Sequence, residues 1–142
     1  MTRISSYISF PGNAAEVLTY YRDVFGGTLD MLTYGQANMG DMGEFQPPAE
    51  AVAHALLDGG MLRLTGGDDV LGGGASLESG TYSFLIEPET TAVAQDLIDR
   101  LTTDGGEVTM PFEKAPWGDH YGQVKDRYGV LWQVNVTEGS AG

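Results

Sequence analysis

Apolar residues along this chain recur first at helical spacing and then in alternation, and the sequence does this twice. Val17, Leu18, Tyr21, Val24 and Phe25 fall on one helical face and predict a helix near residues 13–26, with Tyr21 in the core and Tyr20 at its boundary. Asn13-Ala14-Ala15-Glu16 matches a capping box, in which Asn13 caps early N–H groups and Glu16 bonds back. Gly26-Gly27 supplies the stop, because glycine tolerates the positive φ that ends many helices. An extended segment, "RISSYISFPG", precedes this helix, and "TLDMLTY" from Thr28 to Tyr34 reads as the strand after it.

The same order returns in the second half. "GTYSFLIEPETT" gives a strand and then a cap at Thr90 or Thr91, and Val93, Leu97, Ile98 and Leu101 predict a helix near residues 90–104. Gly105-Gly106 ends it, and "EVTMPF" follows as a strand. Each half closes with a hairpin: "VAHALLDGGMLRLT" turns at Asp58-Gly59-Gly60, and "HYGQVKDRYGVLWQVNV" turns between Asp126 and Gly129.

Strand, helix and three strands, written twice, predict an α+β chain built from two copies of a βαβββ unit. The units span about residues 1–66 and 80–138 of one domain, joined by a Gly-rich loop at 67–79. One helix covers only one face of each sheet, so two curved sheets can pair their open faces around a cavity. The Gly- and Pro-rich stretch 35–50 can fold over such a pocket.

Composition narrows the partners. With 7 Lys plus Arg against 20 Asp plus Glu, the net charge of −13 repels phosphate backbones and anionic lipid headgroups, which excludes nucleic acid as an expected partner. The acidity itself reads as a solvated surface. The chain has no cysteine, so disulfides and thiolate metal sites are out. No stretch approaches the ~20 apolar residues of a membrane span, and a cytoplasmic protein is the expectation.

Three blocks, "SYISFPGNAAEVLTYYRDVFGG", "HALLDGGMLRLTGGD" and "WGDHYGQVKDRYGVLWQVNV", together resemble the PhnB-like branch of the vicinal oxygen chelate superfamily, which includes glyoxalases, bleomycin resistance proteins and extradiol dioxygenases. The resemblance covers essentially the whole chain. It implies paired βαβββ modules forming a cup-shaped, half-open barrel, commonly in a homodimer that can exchange modules. It does not settle the chemistry, since one fold hosts many functions. Members that bind a divalent ion place His or Glu on the first, fourth, fifth and eighth strands. The resemblance lays those positions on Ser6 or Tyr7, on Arg63, on Thr81 or Tyr82, and on Gln133. None is an ordinary ligand, and a guanidinium repels a metal ion. No metal and no other cofactor is therefore expected. An alternative metal site has to use both histidines, His54 and His120, or one of them with carboxylates.

The other candidates are read individually. His54, in the strand "VAHALL", is either a half-buried structural histidine or a catalytic base. His120 next to Asp119 suggests an ion pair, but neighbours on a strand point to opposite faces. Trp117 is expected to begin a strand and either line the cup mouth or cover a loop, whereas Trp132 packs under a helix if Gln133 faces the cup. The PhnB-like branch is also labelled as a demethylubiquinone methyltransferase domain, yet the three-strand runs break the alternating βα pattern of a doubly wound methyltransferase.

The sequence thus points to a small-molecule binding protein without a metal centre, with Tyr7, Arg63, Trp117 and Gln133 contacting the ligand. Arg63 would offer a cation to a carboxylate, phosphonate or polarised oxygen. Arg63 and Gln133 are expected on the second strands of matching hairpins, at equivalent points. The alternative is an enzyme of lyase, isomerase or dioxygenase type, working through unusual metal ligands or through His54.

Overall fold

Two runs of strand, helix and strands account for nearly every regular element. The computed structural model describes residues 2–37 and 47–137. These elements form two compact units, Met1–Ser76 and Leu77–Gly142.

In the first unit, β1 (Tyr7–Phe10), α1 (Ala14–Phe25), β2 (Thr28–Thr33), a short α2 (Tyr34–Ala37), β3 (Val52–Asp58) and β4 (Leu64–Asp68) follow in order. The four-stranded sheet runs β1-β4-β3-β2. β1 lies parallel to β4, and the other pairs are antiparallel. Val17, Leu18, Tyr21 and Phe25 of α1 are buried with Phe10, Ala55, Leu57 and Leu64 of the sheet. Tyr20, expected at the boundary, is buried too, with its ring 5.5 Å from that of Tyr21.

The start of α1 is not the expected capping box. Asn13 makes no side-chain cap bond, and its Oδ1 is buried without a partner. The carboxylate of Asp68 takes its place. The parallel pairing of β1 with β4 sets Asp68 opposite Phe10, where one oxygen accepts from Ala14 N–H at 2.9 Å and the other from Val52 N–H at 2.8 Å. One side chain thus secures both the helix start and the entry to β3, and a charged acceptor outcompetes a neutral one at a positive helix end. A reciprocal box does form, at α2. Thr33 Oγ1 accepts from Gln36 N–H at 3.1 Å, while Gln36 Oε1 accepts from Thr33 N–H at 3.0 Å. That exchange turns Tyr34 out of the strand in which the sequence pattern placed it.

The second unit holds β5 (Phe84–Ile86), α3 (Thr91–Thr102), β6 (Glu107–Lys114), β7 (His120–Lys125) and β8 (Leu131–Val136). Its sheet runs β5-β8-β7-β6, with β5 parallel to β8 and the remaining pairs antiparallel. The strand order and pairing directions therefore repeat those of the first unit. Thr90 Oγ1 caps α3, accepting from Val93 N–H at 3.2 Å. Ala94, Leu97, Ile98 and Leu101 form the buried stripe, whereas Val93, expected in it, is 43% exposed. As a residue of the first turn it extends beyond the sheet.

Asp126, only 2% exposed, organises the β7–β8 turn. Its carboxylate accepts from Tyr128 N–H (2.9 Å), Val130 N–H (3.2 Å) and the Trp132 indole N–H (2.9 Å). Trp132 lies in the core, stacked on Phe84 at 4.6 Å between centroids. Of the loop 35–50, residues 38–46, and with them the expectation of a pocket cover, lie outside the described residues.

Candidate functional site

Side chains alternate across a strand, so the residues opposite the helix can be read from burial and register. In β8, Trp132, Val134 and Val136 are buried beneath α3, leaving Leu131, Gln133 and Asn135 half-buried on the other face. Leu85 of β5 and Gln123 of β7 are the direct partners of Gln133 on either side. A continuous polar chain crosses this open face. Gln123 Nε2 donates to the Tyr121 hydroxyl at 2.8 Å, which donates to Gln133 Oε1 at 2.7 Å, and Gln133 Nε2 donates to Ser83 Oγ at 2.9 Å. Leu85 and Met110, both exposed, flank this chain with apolar surface. A recess of about 400 Å³, lined by Glu78, Ser79, Thr109, Gln123, Lys125 and Leu131, adjoins it.

Trp117 does not begin a strand. It sits in the turn before β7, 64% exposed, its ring 6.3 Å from that of Tyr121. Pro116 and Gly118 keep this segment out of the ladder, and Gly118 N–H closes a turn on the Ala115 carbonyl at 2.9 Å. The neighbouring Asp119 accepts from Asn135 Nδ2 at 3.1 Å, whereas His120 lies near Phe112 with its Nδ1 buried and without a hydrogen-bond partner. No His120–Asp119 pair forms among the described residues.

In the first unit the corresponding open face carries Tyr7, Thr65, Leu56, His54 and Leu32, as the strand registers dictate. Tyr7 stacks on His54 with ring centroids 6.3 Å apart. Partial burial, and secondarily the neighbouring Tyr34, raises the Tyr7 phenol above its ordinary pKa. Room for that phenol depends on Gly67, where a Cβ would stand only 2.8 Å from the hydroxyl oxygen. His54 is exposed rather than half-buried, because it faces away from α1.

Arg63 departs from its expected position. It lies in the connection before β4, which begins at Leu64. The turn before it packs against the end of α1. Met61 N–H donates to the Phe25 carbonyl at 3.2 Å, and a Cβ on Gly60 would sit 2.5 Å from the Gly26 carbonyl carbon. The Arg63 guanidinium pairs with Asp58 at 3.5 Å and donates to Ser5 Oγ. The inward pairs nearest each turn are Leu57–Leu64 and Val124–Trp132, so the positional counterpart of Gln133 is Thr65. Thr81 and Tyr82 likewise precede β5 instead of lying in it. Among the described residues, no group of three or more His, Asp or Glu is placed to hold a metal ion.

Gln133, Trp117 and Tyr7 thus lie on or beside open sheet faces, while Arg63 is held in a turn. Tyr121, Gln123 and Ser83 were not singled out from the sequence. For Gln123, and for Tyr121 two residues before it, a signal was present: "GQVK" and "WQVNV" alternate polar with apolar residues in paired central strands, where outward side chains meet across the ladder; Ser83 lies in neither strand.

The arrangement can hold a small molecule by its polar edge, with the apolar flanks taking its body. Comparison with known proteins bears on the family and the fold. The family model of the Glyoxalase/Bleomycin resistance protein/Dioxygenase superfamily matches residues 3–134. Protein YjdN of Escherichia coli (strain K12) is 26% identical over 147 aligned positions, covering 95% of each chain. Protein PA1353 from Pseudomonas aeruginosa superposes with a TM-score of 0.78 at 29% identity, covering 97% of this chain and 99% of that one. A PhnB protein from Bacillus cereus gives a TM-score of 0.72 at 20% identity over 96% of this chain and all (100%) of its own. Among the described residues, no helix is long and apolar enough to cross a membrane. With repeated βαβββ units in matching order and a family match across nearly its whole length, the chain belongs to the glyoxalase/bleomycin resistance protein/dioxygenase superfamily.

Proposed function

We propose that this chain binds a small organic molecule without a metal centre, and that the open face of the second sheet supplies the polar contacts. The observation that carries this reading is the Gln123–Tyr121–Gln133–Ser83 chain set between Leu85 and Met110. Ordered donors and acceptors amid apolar surface are what orient a ligand in a binding site. Trp117 beside Tyr121 offers a ring for the ligand's edge, while Tyr7 stacked on His54 gives the first unit's own sheet an aromatic surface. Arg63 is not the anchor in this proposal: its guanidinium faces Asp58 and donates to Ser5, although its Nε has no hydrogen-bond partner among the described residues.

The ligand reading extends to a homodimer in the cytoplasm. Met31 and Leu32 on β2 and Val108 on β6 leave apolar surface exposed on the edge strands, and association covers surface of that kind. The second reading, a metal-free enzyme, draws on the exposed His54 beside Tyr7, a base next to a phenol that keeps its proton.

Thermal-shift screening of small aromatic compounds, in the presence of a chelator, tests the proposal. Compounds that stabilise the wild type should fail to stabilise Gln133→Ala. Arg63→Met should bind them within about twofold of wild type, under ~0.5 kcal/mol. One equivalent of metal in untagged protein, with binding lost on its removal, would overturn the metal-free reading.

A further inference from the structure

The polar chain on the second sheet has a direction. Tyr121 has a single hydroxyl proton and gives it to Gln133 Oε1, while its oxygen accepts from Gln123 Nε2. Gln133 therefore turns its NH2 toward Ser83, whose Oγ accepts from it. Two capacities remain at the ends. The Ser83 hydroxyl, already an acceptor, still has its proton to donate, and Gln123 Oε1 has lone pairs to offer. Lys125, two positions further along the same face of β7, lines the recess beside Gln123.

We infer that this polarity selects the ligand: an aromatic molecule with a hydrogen-bond acceptor at the Ser83 end and a donor at the Gln123 end. The inference rests on the reading of this face as the ligand site. The ends are two interstrand spacings apart, roughly 10 Å, so one ring with a polar group at each pole is the smallest class that addresses both. Ser83 and Gln123 are then the residues that determine specificity, and neither is needed for the packing beneath α3.

The test uses the full chain and three probes, with affinities from NMR titration of the backbone and side-chain amides. para-Hydroxyacetophenone carries both groups, para-methoxyacetophenone lacks the donor, and para-ethylphenol lacks the carbonyl. The expected result is that the first binds about fivefold more tightly than either other probe, the effect of one net hydrogen bond. Ser83→Ala should erase the preference for the carbonyl and keep that for the hydroxyl, and Gln123→Met should do the converse. Binding of all three probes with equal affinity would overturn the polarity alone. Loss of the hydroxyl preference in Ser83→Ala would show the chain running the other way. No binding by any probe would overturn the face as a ligand site, and the inference with it.

Discussion

The Tyr121 hydroxyl donates to the side-chain carbonyl of Gln133 at 2.7 Å, from β7 to β8, and it is the only donor that oxygen has among the described residues. The same hydroxyl accepts from Gln123 at 2.8 Å. Tyr121→Phe removes both bonds and leaves the ring in place. We expect the variant to fold with a loss of about 1 kcal/mol, since the bonds are partly solvated. Its affinity for a stabilising ligand should fall at least as far as that of Gln133→Ala. Urea denaturation and a binding titration on the same preparation check the two parts.

Among the polar side chains, the largest single-residue effect on stability should come from Asp126, which is buried. Its buried carboxylate serves two backbone N–H groups and the Trp132 indole. Asp126→Ala strands those donors, and a loss of about 3 kcal/mol is expected. Asp126→Asn keeps an acceptor for part of the set and should lose roughly half as much. The fluorescence of buried Trp132 reports the unfolding midpoint of each variant.

A paired substitution separates two accounts of the α1 start. Asp68→Ala should destabilise by about 1–2 kcal/mol, the usual range for a lost cap. Asn13→Ala should be nearly neutral, as its side chain makes no cap bond. Equal losses at the two positions would restore the capping box suggested by the sequence.

That contrast shows what was legible in the chain. The helices and hairpins were, because periodicity and glycine pairs are local signals, and the doubling of the unit followed from their order. The cap at Asp68 was not, since it depends on the parallel pairing of β1 with β4, a contact across more than fifty positions of sequence. Arg63 was expected on β4, but the start of that strand at Leu64 is set by its pairing with β3 across the turn, which no residue next to Arg63 announces. Gln133 was reached through the family resemblance, with alternation then setting Trp132 on the opposite face, but its hydrogen-bond partners needed the register of β5 and β7.

Stability at high pH should depend on Tyr7. Although Tyr7 is 55% exposed, partial burial, and secondarily Tyr34, raises its phenol above the ordinary value of about 10. The folded chain thus holds this proton more tightly than the unfolded one. The stabilisation is complete below the unfolded pKa and is lost as pH rises through the folded pKa. Tyr7→Phe should abolish that part of the alkaline decline, and an alkaline NMR titration should show Tyr7 ionising above a free phenol. Titration at or below the ordinary value would contradict the partial burial of this phenol.

Amide chemical-shift mapping with a small aromatic ligand from the thermal screen tests the central claim most directly. The first unit has a competing recess of about 580 Å³ at the start of α1, lined in part by Gly12, Asn13, Glu16, Asp68 and Asp69. The account predicts saturable shifts concentrated at Ser83, Leu85, Tyr121, Gln123 and Gln133, unchanged by chelator. Shifts confined to the recess between Gly12 and Asp69, with the second sheet unmoved, would contradict it.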